Sequence, residues 1–292
     1  MNIIGHSRQL KILNRILKQG ITSGSFIFSG PEHVGKFTIA NNFAGKINKV
    51  ADKFSADIEV VTPEAEESRG QSRRHDIKIE KVRELRQWLN LAPAVGKKRI
   101  AIINEADRLN VAAQNALLKI LEEPQRNCLV ILVVQNEQKI LPTILSRCQK
   151  MFFGTVSEEI LAKHIPVDHQ DRDKLIFWSF GRPGILISLL NDPRELMIRE
   201  ETFNELKNLM QRSLDERFGW AEKSSQDMEK VVVKLNLWLA ILRQSLLGGN
   251  FKINKSSEEK MKIIGKIEES LILLKETNVN SRLTLENLLI NL

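Results

Sequence analysis

Five short apolar runs, Phe26 to Phe28, Ile58 to Val61, Ile100 to Ile103, Leu129 to Val134 and Met151 to Phe153, punctuate the first half of the chain, with amphipathic stretches between them. This alternation predicts an α/β domain with a five-stranded parallel sheet, because such strands are buried on both faces and need helical return connections. The helical stretches are Ser7 to Gln19 with Ser7 as N-cap, Lys36 to Lys49, Glu80 to Asn90, and Val111 to Glu122 between an Asn110 cap and a Pro124 stop. The polar stretch Glu64 to Gln71 is expected to be a loop. Past residue 155 the strand pattern ends. Ser157 to Ile165, Asp171 to Phe180, and a helix entered through Gly181, Arg182, Pro183 and Gly184 make a small helical unit. Longer amphipathic helices follow from residue 195. One ends at Gly248 and Gly249, one places Met261, Ile264, Ile267, Leu271 and Leu274 on a single face, and a last block runs from Leu283 to Leu292. The expected domains are therefore 1–154, 155–194 and 195–292.

A length of 292 residues leaves room for these units, and an apolar fraction of 42% supplies their cores. The best candidate for a membrane span, VVVKLNLWLAIL, is broken by Lys234 and Asn236, and the start MNIIGHSRQLKIL lacks a long apolar run, so a cytoplasmic protein is expected. Cys128 and Cys148 are too few for a disulfide framework or a zinc site of their own. The net charge of +8 permits acidic partners. The basic groups Arg69, Arg73, Arg74 and Lys78, and Lys97, Lys98 and Arg99, are read as solvated loops, since no aromatic residues are interleaved with them.

The segment GPEHVGKF, residues 30 to 37, lies between an expected strand and an expected helix, the setting of a phosphate-binding loop. Gly30, Gly35 and Lys36 fit that pattern, but Phe37 stands where a Ser or Thr hydroxyl would ligate magnesium. Thr38 is one residue out of register, about 100° around a helix. A second nucleotide element, the strand and turn RIAIINEADRLN, has Asn104 where a magnesium-holding carboxylate belongs, followed by Glu105 at the water-polarising position. A neutral amide holds a hard dication far less well than a carboxylate. Two lesions at the same ion predict weak or absent nucleotide binding and no hydrolysis. Lys36 is read equally as a phosphate ligand and as a surface lysine near a helix N-terminus.

The run INEADRLNVAAQNALLKILEEPQRN, followed by ILPTILSRCQ, resembles the signature of clamp-loader AAA+ subunits. With its degenerate loop the chain is most similar to the delta prime subunits of bacterial DNA polymerase III. IIGHSRQL, IKIEKVRELRQWL and NVNSRLTLENLL extend the resemblance over nearly the whole chain. It implies an AAA+ domain, a helical lid and a helical collar domain, in a non-hydrolysing stator of a clamp loader that places a sliding clamp on primed DNA. The implied partners are ATPase subunits, which bind ATP and magnesium, and the clamp-opening delta subunit. In TILSRCQ, Arg147 is implied to be an arginine finger acting in trans; by itself it is also consistent with an arginine pairing on a short helix.

Two departures matter. The stretch AGKINKVADKFSADIEVVTPE lacks the cysteines of the zinc module found in many delta prime proteins, so no zinc is expected. The lid string GRPG has Gly184 in place of the family's sensing arginine, with Arg182 offset by two residues. The rival functions are an active ATPase subunit of the same loader and a DNA-binding regulator on an inert AAA+ scaffold.

Overall fold

The computed structural model describes residues 3–20, 24–49, 56–68, 71–74, 76–122, 127–248, 251, 253–276 and 279–292, with the side chains of 65–68, 71–74 and 275–276 excepted. The chain divides into two compact units, Met1–Ile187 and Ser188–Leu292.

The first unit contains β1 (Gly24–Ser29), β2 (Ile58–Val61), β3 (Ala65–Ser68), β4 (Gln71–Arg74), β5 (Arg99–Ile103), β6 (Cys128–Val134) and β7 (Gln149–Phe152). Around them lie α1 (Ser7–Gln19), α2 (Lys36–Asn48), α3 (Ile79–Leu89), α4 (Val111–Glu122), α5 (Pro142–Leu145), α6 (Glu158–Ala162) and α7 (Arg172–Trp178), followed by α8 (Pro183–Asn191), which crosses into the second unit. Five strands form one sheet in the order β2-β5-β6-β1-β7, and every pairing in it is parallel.

Strand side chains alternate between two cores, as a period of two requires. Phe26, Phe28, Ile100, Ile102, Leu129 and Ile131 pack with Leu13, Ile39 and Phe43 of α1 and α2. Ile27, Ala101, Ile103, Val130 and Leu132 pack with Val82, Leu85 and Leu117 of α3 and α4. All five expected strands and the helices around them are present, which makes this an α/β sheet domain.

Several local expectations need correction. The polar stretch expected as a loop contributes to an antiparallel hairpin, β3 with β4, in which the ladder pairs the backbone whatever the side chains' polarity. Ser7 is the first helical residue of α1, and His6, in the left-handed region at φ 58°, precedes it without a side-chain cap. Cys148 lies in the bend between α5 and β7. Asn110 does cap α4, its Oδ1 accepting from the Ala113 N–H at 2.8 Å. Pro124, Arg69 and Gly249 lie outside the described residues, as do the side chains of Arg73 and Arg74.

Arg99 is not a surface charge. It is 7% exposed, lies 4.7 Å from the Trp88 ring centroid, and donates to the carbonyls of Ala92 and Ala56 at 2.9 to 3.1 Å. Beside it the fully buried Asp57 carboxylate accepts the backbone N–H groups of Ala94, Val95 and Gly96 at 2.5 to 2.8 Å, with Arg99 Nε 3.6 Å away. This pair shapes the loop between α3 and β5.

The second unit is helical: α9 (Pro193–Gln211), α10 (Leu214–Ser224), α11 (Met228–Leu246), α12 (Ser257–Glu276) and α13 (Ser281–Ile290). Ile264, Ile267 and Leu271 of α12 are buried as the periodicity predicts, but Met261 is 62% exposed and Ile263 takes its place inside. Lys234 pairs with Glu205 at 2.8 Å, and Glu205 also accepts from Trp220 Nε1 at 2.8 Å. Among the described residues no helix is long and apolar enough to cross a membrane.

Asp57 yields a stability prediction. Burial alone pushes its carboxyl up, but the three N–H bonds from Ala94, Gly96 and Val95, together with the Arg99 charge, outweigh that and hold it below the usual carboxylate range. Its stabilising contribution is therefore complete above about pH 4, the ordinary range for Asp, and is lost as pH falls through its lowered folded-state value. Asp57→Asn is expected to cost about 3 kcal/mol in denaturant unfolding at neutral pH, because it leaves Arg99 buried without its counter-charge. The loss should shrink toward pH 2.

Candidate functional site: the loop after β1 and the arginine after α5

Parallel pairing brings the C-terminal ends of β1, β6 and β5 to one edge of the sheet, where open α/β folds place their sites. The loop after β1 begins at Gly30, with φ 138°. A Cβ there would lie 2.0 Å from the Phe153 carbonyl oxygen, so the close approach of the chain after β7 demands glycine, with or without a phosphate. Gly35, with φ 99°, precedes α2. His6 Nε2 donates to the Val34 carbonyl at 2.8 Å and pins the loop from α1's side.

Lys36 is buried rather than on the surface, at 5% exposure. Its Nζ turns back onto its own loop and donates to the carbonyls of Gly30 at 2.6 Å and Pro31 at 2.5 Å. Burial lowers its pKa to about 8; the charges of Glu32 and Asp107 act to raise it, and that of Arg182 to lower it. Phe37 packs against the core cluster that contains Phe26 and Phe28. The half-buried Phe37 thus offers no oxygen at the position after the lysine, and the Lys36 amine is engaged by carbonyls of its own loop.

The turn after β5 carries Asn104 and Glu105. The Asn104 N–H donates to the Val61 carbonyl at 2.9 Å, prolonging the pairing of β5 with β2. Glu105 sits in the left-handed region at φ 52°, and its Oε2 lies 2.9 Å from Arg108 Nε. Asp107, two residues further on, was not singled out in the sequence; its Oδ1 accepts the Gln135 N–H at 3.1 Å, joining this turn to the end of β6. The signal was present in NEAD, whose second acidic residue lies just beyond the expected pair.

Gly184, at the start of α8, donates its N–H to the His33 carbonyl at 2.7 Å. A Cβ at 184 would come within 2.8 Å of that same oxygen. The glycine standing where the family's lid arginine is expected therefore seats α8 on the loop.

Arg147 lies apart from this cluster, in the turn between α5 and β7. Its side chain is 37% exposed and its Nη2 is 2.9 Å from Glu122 Oε1, while Nη1 donates to the Thr143 carbonyl at 2.9 Å. The neighbouring Cys148 is buried, which pushes its thiol up to about 11, so it is unreactive near neutrality. Burial raises the Cys128 thiol likewise.

The family model described as DNA polymerase III, delta subunit, matches residues 5–157, more than half of the chain. The chain belongs to this DNA polymerase III family. It is 29% identical over 175 residues to DNA polymerase III subunit tau of Bacillus subtilis, a match covering 55% of this chain and 30% of that protein. It is 26% identical over 181 residues to subunit delta' of Pseudomonas aeruginosa, covering 54% of this chain and 53% of that one. The chain thus spans about a third of the length of the tau relatives it matches. In fold it is similar over 97% of both chains to a DNA polymerase III gamma subunit-related protein from Thermotoga maritima, with 21% identity and a TM-score of 0.55.

Two measurements follow from this geometry. Lys36 has a lowered folded-state pKa, so between about pH 8 and its ordinary value of 10.5 the unfolded chain holds a proton that the folded chain has lost, and stability rises with pH. Wild type minus Lys36→Met should show that rise in denaturant unfolding, and a flat difference would show that the amine is not desolvated. Gly184→Arg, which restores the family's lid residue, should lower stability by about 1 to 3 kcal/mol through the clash with His33 rather than create nucleotide binding. Thermal melting and fluorescent-nucleotide titration read the two effects.

Proposed function

We propose that this chain is a non-hydrolysing, delta prime-type stator of a DNA polymerase III clamp loader, supplying Arg147 in trans to a neighbouring ATPase subunit while a sliding clamp is loaded onto primed DNA. The observation that carries this reading is the contrast between two sites. At its own loop Lys36 is bound to the carbonyls of Gly30 and Pro31, with Phe37 and Asn104 in place of both magnesium ligands. At the turn after α5, Arg147 is partly exposed with its guanidinium held at the surface. A chain with the first site turns over no ATP, and a chain with the second can act on a neighbour's nucleotide. There the planar guanidinium would stabilise charge developing on a γ-phosphate. The partners are other clamp-loader subunits, including a clamp-opening delta subunit. ATP and magnesium are held by the ATPase subunits, and no zinc is bound; residues 50–55 of the stretch that bears on zinc lie outside the described residues.

A second reading, an active ATPase subunit of the tau or gamma kind, draws on the 29% identity to subunit tau. ATP turnover decides between them. The purified chain is expected to hydrolyse no ATP; turnover that disappears on Lys36→Ala would establish the second reading instead. In the reconstituted loader with clamp and primed DNA, Arg147→Ala should leave assembly intact and slow single-turnover hydrolysis at the facing site by up to about 10³-fold, the lower end for arginine fingers. Arg147→Lys should rescue poorly, because it lacks the planar fork.

A further inference from the structure

We propose that Glu122 is a positioning residue for Arg147, holding its guanidinium oriented before a neighbouring subunit's nucleotide reaches it. The inference rests on the arginine-finger reading. Its basis is the way two elements share the fork: Glu122, the last residue of α4, takes Nη2 at 2.9 Å, and Thr143 in α5 takes Nη1 through its carbonyl at 2.9 Å. A guanidinium carries five N–H donors in one plane. With one acceptor on each terminal nitrogen, the plane is set, and Nε has no partner among the described residues. Donors therefore remain for an incoming anion.

Local stability does not account for Glu122. Its side chain is 48% exposed and that of Arg147 is 37% exposed, and ion pairs at such positions contribute only about 0 to 1 kcal/mol. A carboxylate on the last residue of α4 also faces the negative end of the helix dipole. Lys119, one turn earlier, is the residue type that this end of a helix favours. Removing the charge would cost the free subunit little.

Ordering Arg147 in advance is a different matter. An arginine side chain has about 2 kcal/mol of rotamer entropy to lose, and a group already held in its working geometry loses less of it at the moment of reaction. Glu122 and Thr143 together impose that restriction from outside the turn bearing Arg147. The carboxylate does not touch the nucleotide and acts only through the arginine.

The test is a double-mutant cycle in the reconstituted loader with ATP, sliding clamp and primed DNA, comparing wild type, Glu122→Gln, Glu122→Asp, Arg147→Ala and the Glu122→Gln/Arg147→Ala pair. Glu122→Gln is expected to slow single-turnover hydrolysis at the facing site by about three- to tenfold, in the lower part of the range for coupled neighbours, at unchanged ATP affinity, melting temperature and assembly. Glu122→Asp should recover part of the loss. In the Arg147→Ala background, Glu122→Gln should add nothing. The proposal is overturned if Glu122→Gln alone turns over at the wild-type rate, if it slows the Arg147→Ala complex by the same factor again, or if weaker assembly accounts for its loss. A wild-type rate for Arg147→Ala itself would remove the finger reading and this inference with it, an outcome distinct from failure of Glu122→Gln alone.

Discussion

Burial of β1, β5 and β6 on both faces is the constraint on which the first unit depends. A strand buried on two sides must satisfy its backbone by pairing with neighbours, and parallel pairing then forces every connection over a face of the sheet. The C-terminal ends of these strands consequently share one edge. The loop after β1 and the turn after β5 meet there because the sheet has that topology, not because a nucleotide assembles them.

The shape of the loop after β1 is fixed by its own packing and backbone geometry. Gly30 is required by the approach of Phe153, and Gly35 by its positive φ. Neither requirement involves phosphate. Lys36 finds acceptors in the carbonyls of its own loop, and Phe37 packs its ring against the core. Gly184 closes the arrangement by bringing α8 onto His33.

Much of the fold was legible in the sequence, for a physical reason. All five strands of the main sheet stand out as short apolar runs, as strands buried on both faces must, and Asn110 marks the start of α4, which it caps through a bond three residues away. The less legible features involve partners that sequence spacing does not connect. The hairpin β3-β4 is held by its ladder and carries no apolar alternation to announce it. Arg99 looked like one of three surface charges until Asp57, Ala56 and Trp88 surrounded it. Met261 fits the apolar stripe of α12, yet faces outward because Ile263 fills the interior.

By itself the sequence determined the class of the first unit, the helical nature of the second, the family, and the absence of a hydroxyl at Phe37 and of a carboxylate at Asn104, since each is written in residue type and local spacing. Only the tertiary structure decided what the remaining residues do instead. That Lys36 bonds to carbonyls, that Glu105 is paired with Arg108, that Gly184 meets His33, and that Glu122 at the end of α4 pairs with Arg147 are outcomes of rotamer choice and chain crossing. Side-chain identity limits which bonds a residue can make; which of them forms depends on what the fold brings within 3 Å or so, the reach of a hydrogen bond.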